Sequence, residues 1–173
     1  CRSAAEQEKL LLCAYAYSAS EENASGSTTV TAPTLGSSGI LPALVCYYHR
    51  ILGYSREQLR NGLKVAGLFG NLIKENATIS GAQGGCQAEI GAAVAMGAAM
   101  AAYLRGQTTR QIEYAAEIGI EHHLGLTCDP VGGYVMIPCI ERNAVGVLRS
   151  IDAAILAEGI SDLRKHKVSF DMV

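Results

Sequence analysis

Three cysteines carry the strongest chemical signal in the chain: Cys86, Cys128 and Cys139. Cys128 and Cys139 fall in GLTCDPVGGYVMIPCIERN, residues 125–143, a stretch broken by Pro130, Gly132, Gly133 and Pro138. Cys86 lies in a second glycine-rich stretch, SGAQGGCQAE, residues 80–89. Thiols clustered in Gly/Pro loops point to metal binding or catalysis in a reducing setting. Cys128 follows Cys86 by 42 residues and precedes Cys139 by 11. That is neither the C-x₂-C-x₂-C run of ferredoxins nor the paired C-x₂-C of structural zinc. Three thiolates without an evident fourth suit a [4Fe–4S] cluster that leaves one iron open as a Lewis acid. Spacing alone leaves two other readings standing: Cys86 as a buried structural thiol, and a set of cysteines that holds zinc or nothing.

Further candidates flank these loops. Ser37 and Ser38, in APTLGSSGILPA (residues 32–43), stand where a side chain could cap the following helix and leave backbone N–H groups facing an anion; taken alone, an ordinary loop is the simpler reading. Ser80 precedes the Cys86 loop. Lys74 closes a predicted helix, where it either complements the helix dipole or reaches a substrate group. His122 and His123 end another helix just before Gly125, as a C-cap or as an acid/base group beside Cys128. Glu141, Arg142 and Asn143 follow Cys139 in a first helical turn. They are either plain surface or a pocket lining in which Arg142 grips a carboxylate.

The elements that must position these residues are helical. Apolar spacing predicts helices over 4–19, 41–52, 55–76, 86–104, 108–123 and 139–158. Ser55 with Gln58 three residues on is a helix-start signature. Leu10, Leu11, Cys13, Ala14 and Tyr17 mark the inward face of the first helix. Leu59, Leu63, Ala66, Gly67 and Gly70 mark close packing of the third, and Ile140, Val147, Leu148, Ile151, Ile155 and Leu156 mark the core stripe of the last. The alanine- and glycine-rich run from Cys86 to Leu104 is expected at the centre, with Cys86 at its N-terminus, where the dipole favours thiolate. Residues 20–27 read as a loop, and 28–31 have an extended tendency. The fold class is therefore all-α: a single helical domain whose glycine-rich loops converge on a cluster site.

Composition bounds the class of function. At 173 residues the chain is long enough for one domain with a real core, and residues 1–173 are read as that domain. It is 49% hydrophobic and 17% charged, with a formal net charge of −2, which argues against nucleic acid as a partner. The weakly polar run Ile90 to Leu104 falls short of the ~20 residues of a membrane-spanning helix, and with no basic n-region followed by an apolar h-region a signal peptide is not expected. Six cysteines at this length, without an export signal, fit a reduced, cytoplasmic setting better than a disulfide scaffold. Cys1 in place of an initiator methionine and a patterned end are expected of a fragment or one subunit of something longer.

Three segments resemble a known family. TAPTLGSSGILPA (31–43), KENATISGAQGGCQAEIGAA (74–93) and EHHLGLTCDPVGGYVMIPCIERNA (121–144) are similar to the catalytic α domain, or α chain, of iron–sulfur-dependent L-serine dehydratases. The resemblance spans nearly the whole chain. It implies a [4Fe–4S] cluster on Cys86, Cys128 and Cys139, and conversion of L-serine to pyruvate and ammonia without pyridoxal phosphate. It implies a further β domain or β chain, absent here, on which the catalytic base could lie, and a C-terminal tail, also absent. Within that reading Ser37, Ser38, Ser80, Glu141, Arg142 and Asn143 are substrate-binding candidates, and His122 and Lys74 catalytic ones. L-serine is the expected ligand, in a homo- or hetero-oligomer. A related iron–sulfur lyase such as a cysteine desulfidase, or a non-catalytic zinc or thiol domain, are the rival expectations.

Overall fold

The computed structural model describes residues 2–126, 137–163 and 169–172. Among these, six α-helices and two short 3₁₀ turns are the only regular elements. The helices are α1 (Ala4–Ala24), α2 (Ile40–Arg50), α3 (Arg56–Asn76), α4 (Gly81–Leu104), α5 (Thr109–Glu121) and α6 (Ile137–Ile160). The 3₁₀ turns are Leu35–Ser37 and Phe170–Met172. Residues 28–31 join no strand.

Local sequence starts three of the helices in the same way. Ser3, Ser55 and Thr108 each accept a hydrogen bond from the backbone N–H three residues on, while Glu6, Gln58 and Gln111 reach back to the cap residue's N–H. Each such reciprocal cap satisfies two otherwise orphaned donors and contributes about 1 kcal/mol. Ser37 and Ser38 do not act this way. The N-cap of α2 is Gly39, with no side-chain cap, because the two serines are taken up by the preceding 3₁₀ turn.

The architecture is built around α4. It packs against α3, α5 and α6 and also touches α2. Every residue from Ile90 to Ala102 is buried, and most are alanine or glycine. With so little side chain in the way, neighbouring backbones come close. A Cβ on Gly119 of α5 would stand 2.9 Å from the Ala95 Cα. Length and composition alone would let α4 cross a membrane, which corrects the expectation drawn from the shorter run Ile90 to Leu104. Its surface is instead taken up by its neighbours, with 72% of its apolar stretch buried.

Several inward faces differ from the expected ones. On α1 the buried residues are Leu12, Ala16 and Ser20, while Leu10 and Tyr17 are exposed. On α6, Ala144, Val147, Ser150, Ala153, Ala154 and Ala157 face inward, and Ile155 and Leu156 face out. On α3, Leu59, Ala66 and Gly70 are buried, but Leu63 is exposed and nothing lies within 4 Å of a Cβ placed on Gly67. On α3 and α6, which pack against α4, the side-chain-poor central helix accepts small partners, so larger apolar residues are displaced towards the rim. Helix α1 also runs on to Ala24, through residues expected to form a loop.

Two glycine substitutions separate close packing from helix propensity. Gly119→Ala meets backbone rather than a movable side chain, so a loss of about 1–3 kcal/mol is expected. Gly67→Ala points into open space and should gain about 0.5–1 kcal/mol. Urea unfolding of both variants measures this, and equal responses would remove the packing argument.

Candidate functional site

Cys86 and Cys139 are brought together by the α4–α6 contact. Gly85, at φ 67° and ψ −165°, breaks the first turn of α4, and the uninterrupted helix starts at Cys86. Only glycine adopts that backbone conformation without strain. Cys139 stands in the first turn of α6. The two Sγ atoms are 3.9 Å apart and not joined in a disulfide; Cys86 is buried and Cys139 half-buried. Cys128 lies outside the described residues. Among the described residues no group of three or more His, Cys, Asp or Glu side chains could hold a metal ion.

Both thiols line an open cleft of about 440 Å³, with walls from α1, the Leu35–Ser37 turn, α4 and α6. The cleft is large enough for a small amino acid. Asn143 holds two of its walls together. Its Oδ1 accepts from the Gly39 N–H at 2.9 Å, and its Nδ2 donates to the Gly36 carbonyl at 2.9 Å and to the Cys139 carbonyl at 2.7 Å. At 1% exposure it is a buried clasp between the Gly36–Gly39 loop and the cysteine-bearing turn of α6. Ser37 faces inward onto Thr34. Ser38 lines the cleft, and its Oγ, like that of Ser20, is buried with no hydrogen-bond partner. Orphaned hydroxyls cost about 1–3 kcal/mol each unless a polar group joins them.

The remaining predicted residues fall elsewhere. α6 presents two faces: Cys139 and Asn143, four apart, turn to the thiol cleft, whereas Glu141, Arg142, Val145 and Arg149 line a second cleft of about 410 Å³ with His122 and His123. His122 is exposed as the C-cap of α5. His123 is buried, which pushes its imidazole below the usual range, although its Nδ1–H donates to the Gly119 carbonyl at 2.7 Å. Lys74 is exposed in the last turn of α3 and lines neither cleft. Ser80 is the N-cap of α4, half-buried beside Gly81, and makes no side-chain cap.

Sequence reasoning missed three residues at the thiol cleft: Ser20 and Asn23, at the end of α1, and Glu89. The α1 pair was hidden by reading residues 20–27 as a loop. Glu89 had a signal, since it stands three residues after Cys86 and therefore on the same helical face.

The clasp has a measurable worth. Asn143→Ala removes three hydrogen bonds and strands a buried Gly39 N–H, so a loss of about 3 kcal/mol is expected. Asn143→Asp should cost more, because it turns a carboxylate oxygen onto two carbonyls. Thermal unfolding of both variants checks the order, and an Asn143→Ala variant as stable as wild type would remove the clasp.

Comparison with known proteins adds the family. The family model for the serine dehydratase alpha chain matches residues 2–173. The L-serine dehydratase of Streptomyces coelicolor is 49% identical over 160 residues, covering 92% of this chain and 35% of that protein. L-serine dehydratase 1 of Escherichia coli is 51% identical over 160 residues, with the same coverage of each. L-serine dehydratase of Helicobacter pylori strain J99 is 49% identical over 161 residues, again 92% of this chain and 35% of the relative. The chain thus spans about a third of the length of the curated relatives it matches. With its paired thiols and its match along nearly the whole length, the chain belongs to the serine dehydratase alpha chain family.

Proposed function

We propose that this chain is the thiol-bearing part of an L-serine ammonia-lyase, which converts L-serine to pyruvate and ammonia. In this reading Cys86, Cys128 and Cys139 hold a [4Fe–4S] cluster and no pyridoxal phosphate takes part. The observation that carries it is that Cys86 and Cys139, 53 residues apart in sequence, meet in the wall of one cleft. Family membership and the relatives' names support the substrate. Donor chemistry fits the group: soft thiolates suit iron–sulfur clusters, and Cys86 and Cys139 both line the cleft.

The reaction removes an α-proton and a β-hydroxyl, then hydrolyses the imine tautomer of aminoacrylate. Hydroxide leaves poorly, and a bound cluster with an open iron supplies Lewis-acid polarisation of that hydroxyl. The chain's own residues contribute the container. Asn143 fixes the turn that carries Cys139 relative to the Gly36–Gly39 loop, so the thiols and the loop cannot drift apart. Ser38 adds a hydroxyl to the wall. A further β domain or β chain, consistent with the share of the relatives left unmatched, completes the enzyme and carries the base; the assembly is oligomeric and cytoplasmic.

One measurement favours a second reading. Two thiolates on a single tetrahedral ion, with bonds of about 2.3 Å, stand about 3.8 Å apart. The observed 3.9 Å matches that spacing, so a structural zinc is the rival occupant.

Anaerobic reconstitution of the enzyme with all its parts, using iron and sulfide, followed by metal analysis and pyruvate assay, decides between them. Iron near four per chain, turnover of L-serine, and loss of iron and activity by more than about 10²-fold in Cys139→Ala and Cys128→Ala are expected. Zinc retained in place of iron, or full iron in both variants, removes the cluster reading. Preference for L-cysteine over L-serine would instead make the protein a desulfidase.

A further inference from the structure

Glu89 is placed in a way that the site described so far does not explain. It stands one turn after Cys86 on the same face of α4 and lines the thiol cleft. Its Oε1 accepts two hydrogen bonds, from the Thr34 hydroxyl and from the Gly36 N–H at 3.1 Å. Two glycine backbones, one in the Leu35–Ser37 turn and one in the first turn of α4, press on the carboxylate. A Cβ on Gly36 would lie 2.5 Å from its carbon and both oxygens, and one on Gly81 would lie 2.7 Å from Oε2. The two hydrogen bonds hold the carboxylate, and a side chain at either glycine would displace it from there.

Its second oxygen is left over. Oε2 takes no hydrogen bond, yet it is not among the sealed polar atoms, so it opens to the cleft. No described lysine, arginine or histidine pairs with it, and the other described side chains around the cleft carry no formal charge apart from what the two thiols acquire. The natural complement of an open carboxylate oxygen with no cation beside it is a positively charged donor.

We propose that Glu89 recognises the substrate's α-ammonium group, with Oε2 as acceptor and with Thr34 and Gly36 aiming it. This rests on the reading of the protein as an L-serine lyase and deepens it. Glu89 sets the substrate class as α-amino acids and selects against acids that lack the ammonium.

The test uses the cluster-loaded enzyme with all its parts. Glu89→Gln keeps the side chain's length and its Oε1 acceptor and removes the charge. Two unreactive probes divide the substrate: L-alanine keeps the ammonium and lacks the hydroxyl, whereas 3-hydroxypropionate keeps the hydroxyl and lacks the ammonium. In Glu89→Gln, KM for L-serine and the calorimetric Kd for L-alanine should rise about 10–100-fold, the range of a hydrogen bond to a charged group. Both kcat and the Kd for 3-hydroxypropionate should hold, as should iron content. Equal weakening of both probes would show a structural role, and a collapse of kcat at constant KM would make Glu89 a base; either overturns the proposal.

Should Glu89→Gln fail to fold or load iron, Thr34→Val keeps the charge and removes one aiming bond. It should weaken L-alanine about 3–10-fold and leave 3-hydroxypropionate alone; no difference between the probes would again overturn the proposal. If the wild-type enzyme does not turn over L-serine, the functional reading fails. The two-probe comparison still decides on Glu89, because it needs no turnover.

Discussion

The near-absence of side chains on α4 is the constraint from which the rest follows. A helix that is alanine and glycine over most of its length gains little from large apolar contacts, so it is stabilised by backbone proximity and dense packing. That proximity sets what its neighbours can be. Gly119 must be glycine where it meets Ala95, and α6 turns Ala153, Ala154 and Ala157 inward. Because the interfaces are tight, the start of α4 is located accurately relative to the start of α6, and those two starts carry Cys86 and Cys139.

The same logic explains how much was legible in the sequence. Helix existence and type were readable because capping chemistry is local: Ser55 with Gln58 needs no tertiary information. Which face points inward was less readable. Periodicity assigns the largest apolar residues to the core, and here Ile155 and Leu156 of α6 are exposed because it is the alanines of that helix that turn inward. The meeting of Cys86 with Cys139 follows from the loop chemistry around each, but the partition of the other candidates does not. Asn143 and Arg142 are adjacent in sequence yet face different clefts, a distinction set by the rotation of α6 that no motif records.

Asn143 also changes what a polar residue next to a cysteine means. Read from sequence it is a pocket candidate like its two neighbours. In the structure it spends all three of its hydrogen bonds on backbone groups of two separate segments, so its part in the site is to hold shape. Glu89 is the converse case. It was passed over in sequence, and it keeps one oxygen unspent.

The two thiols belong to helices that begin 56 residues apart, at Gly81 and Ile137. Neither helix alone creates the pair; it exists only once α4 and α6 have docked. Long-range contacts of this kind form late, after the entropy of closing the intervening chain has been overcome. Occupancy of the thiol pair is thus a report on whether the bundle has closed, and a partly folded chain cannot present both sulfurs to anything that would bind them.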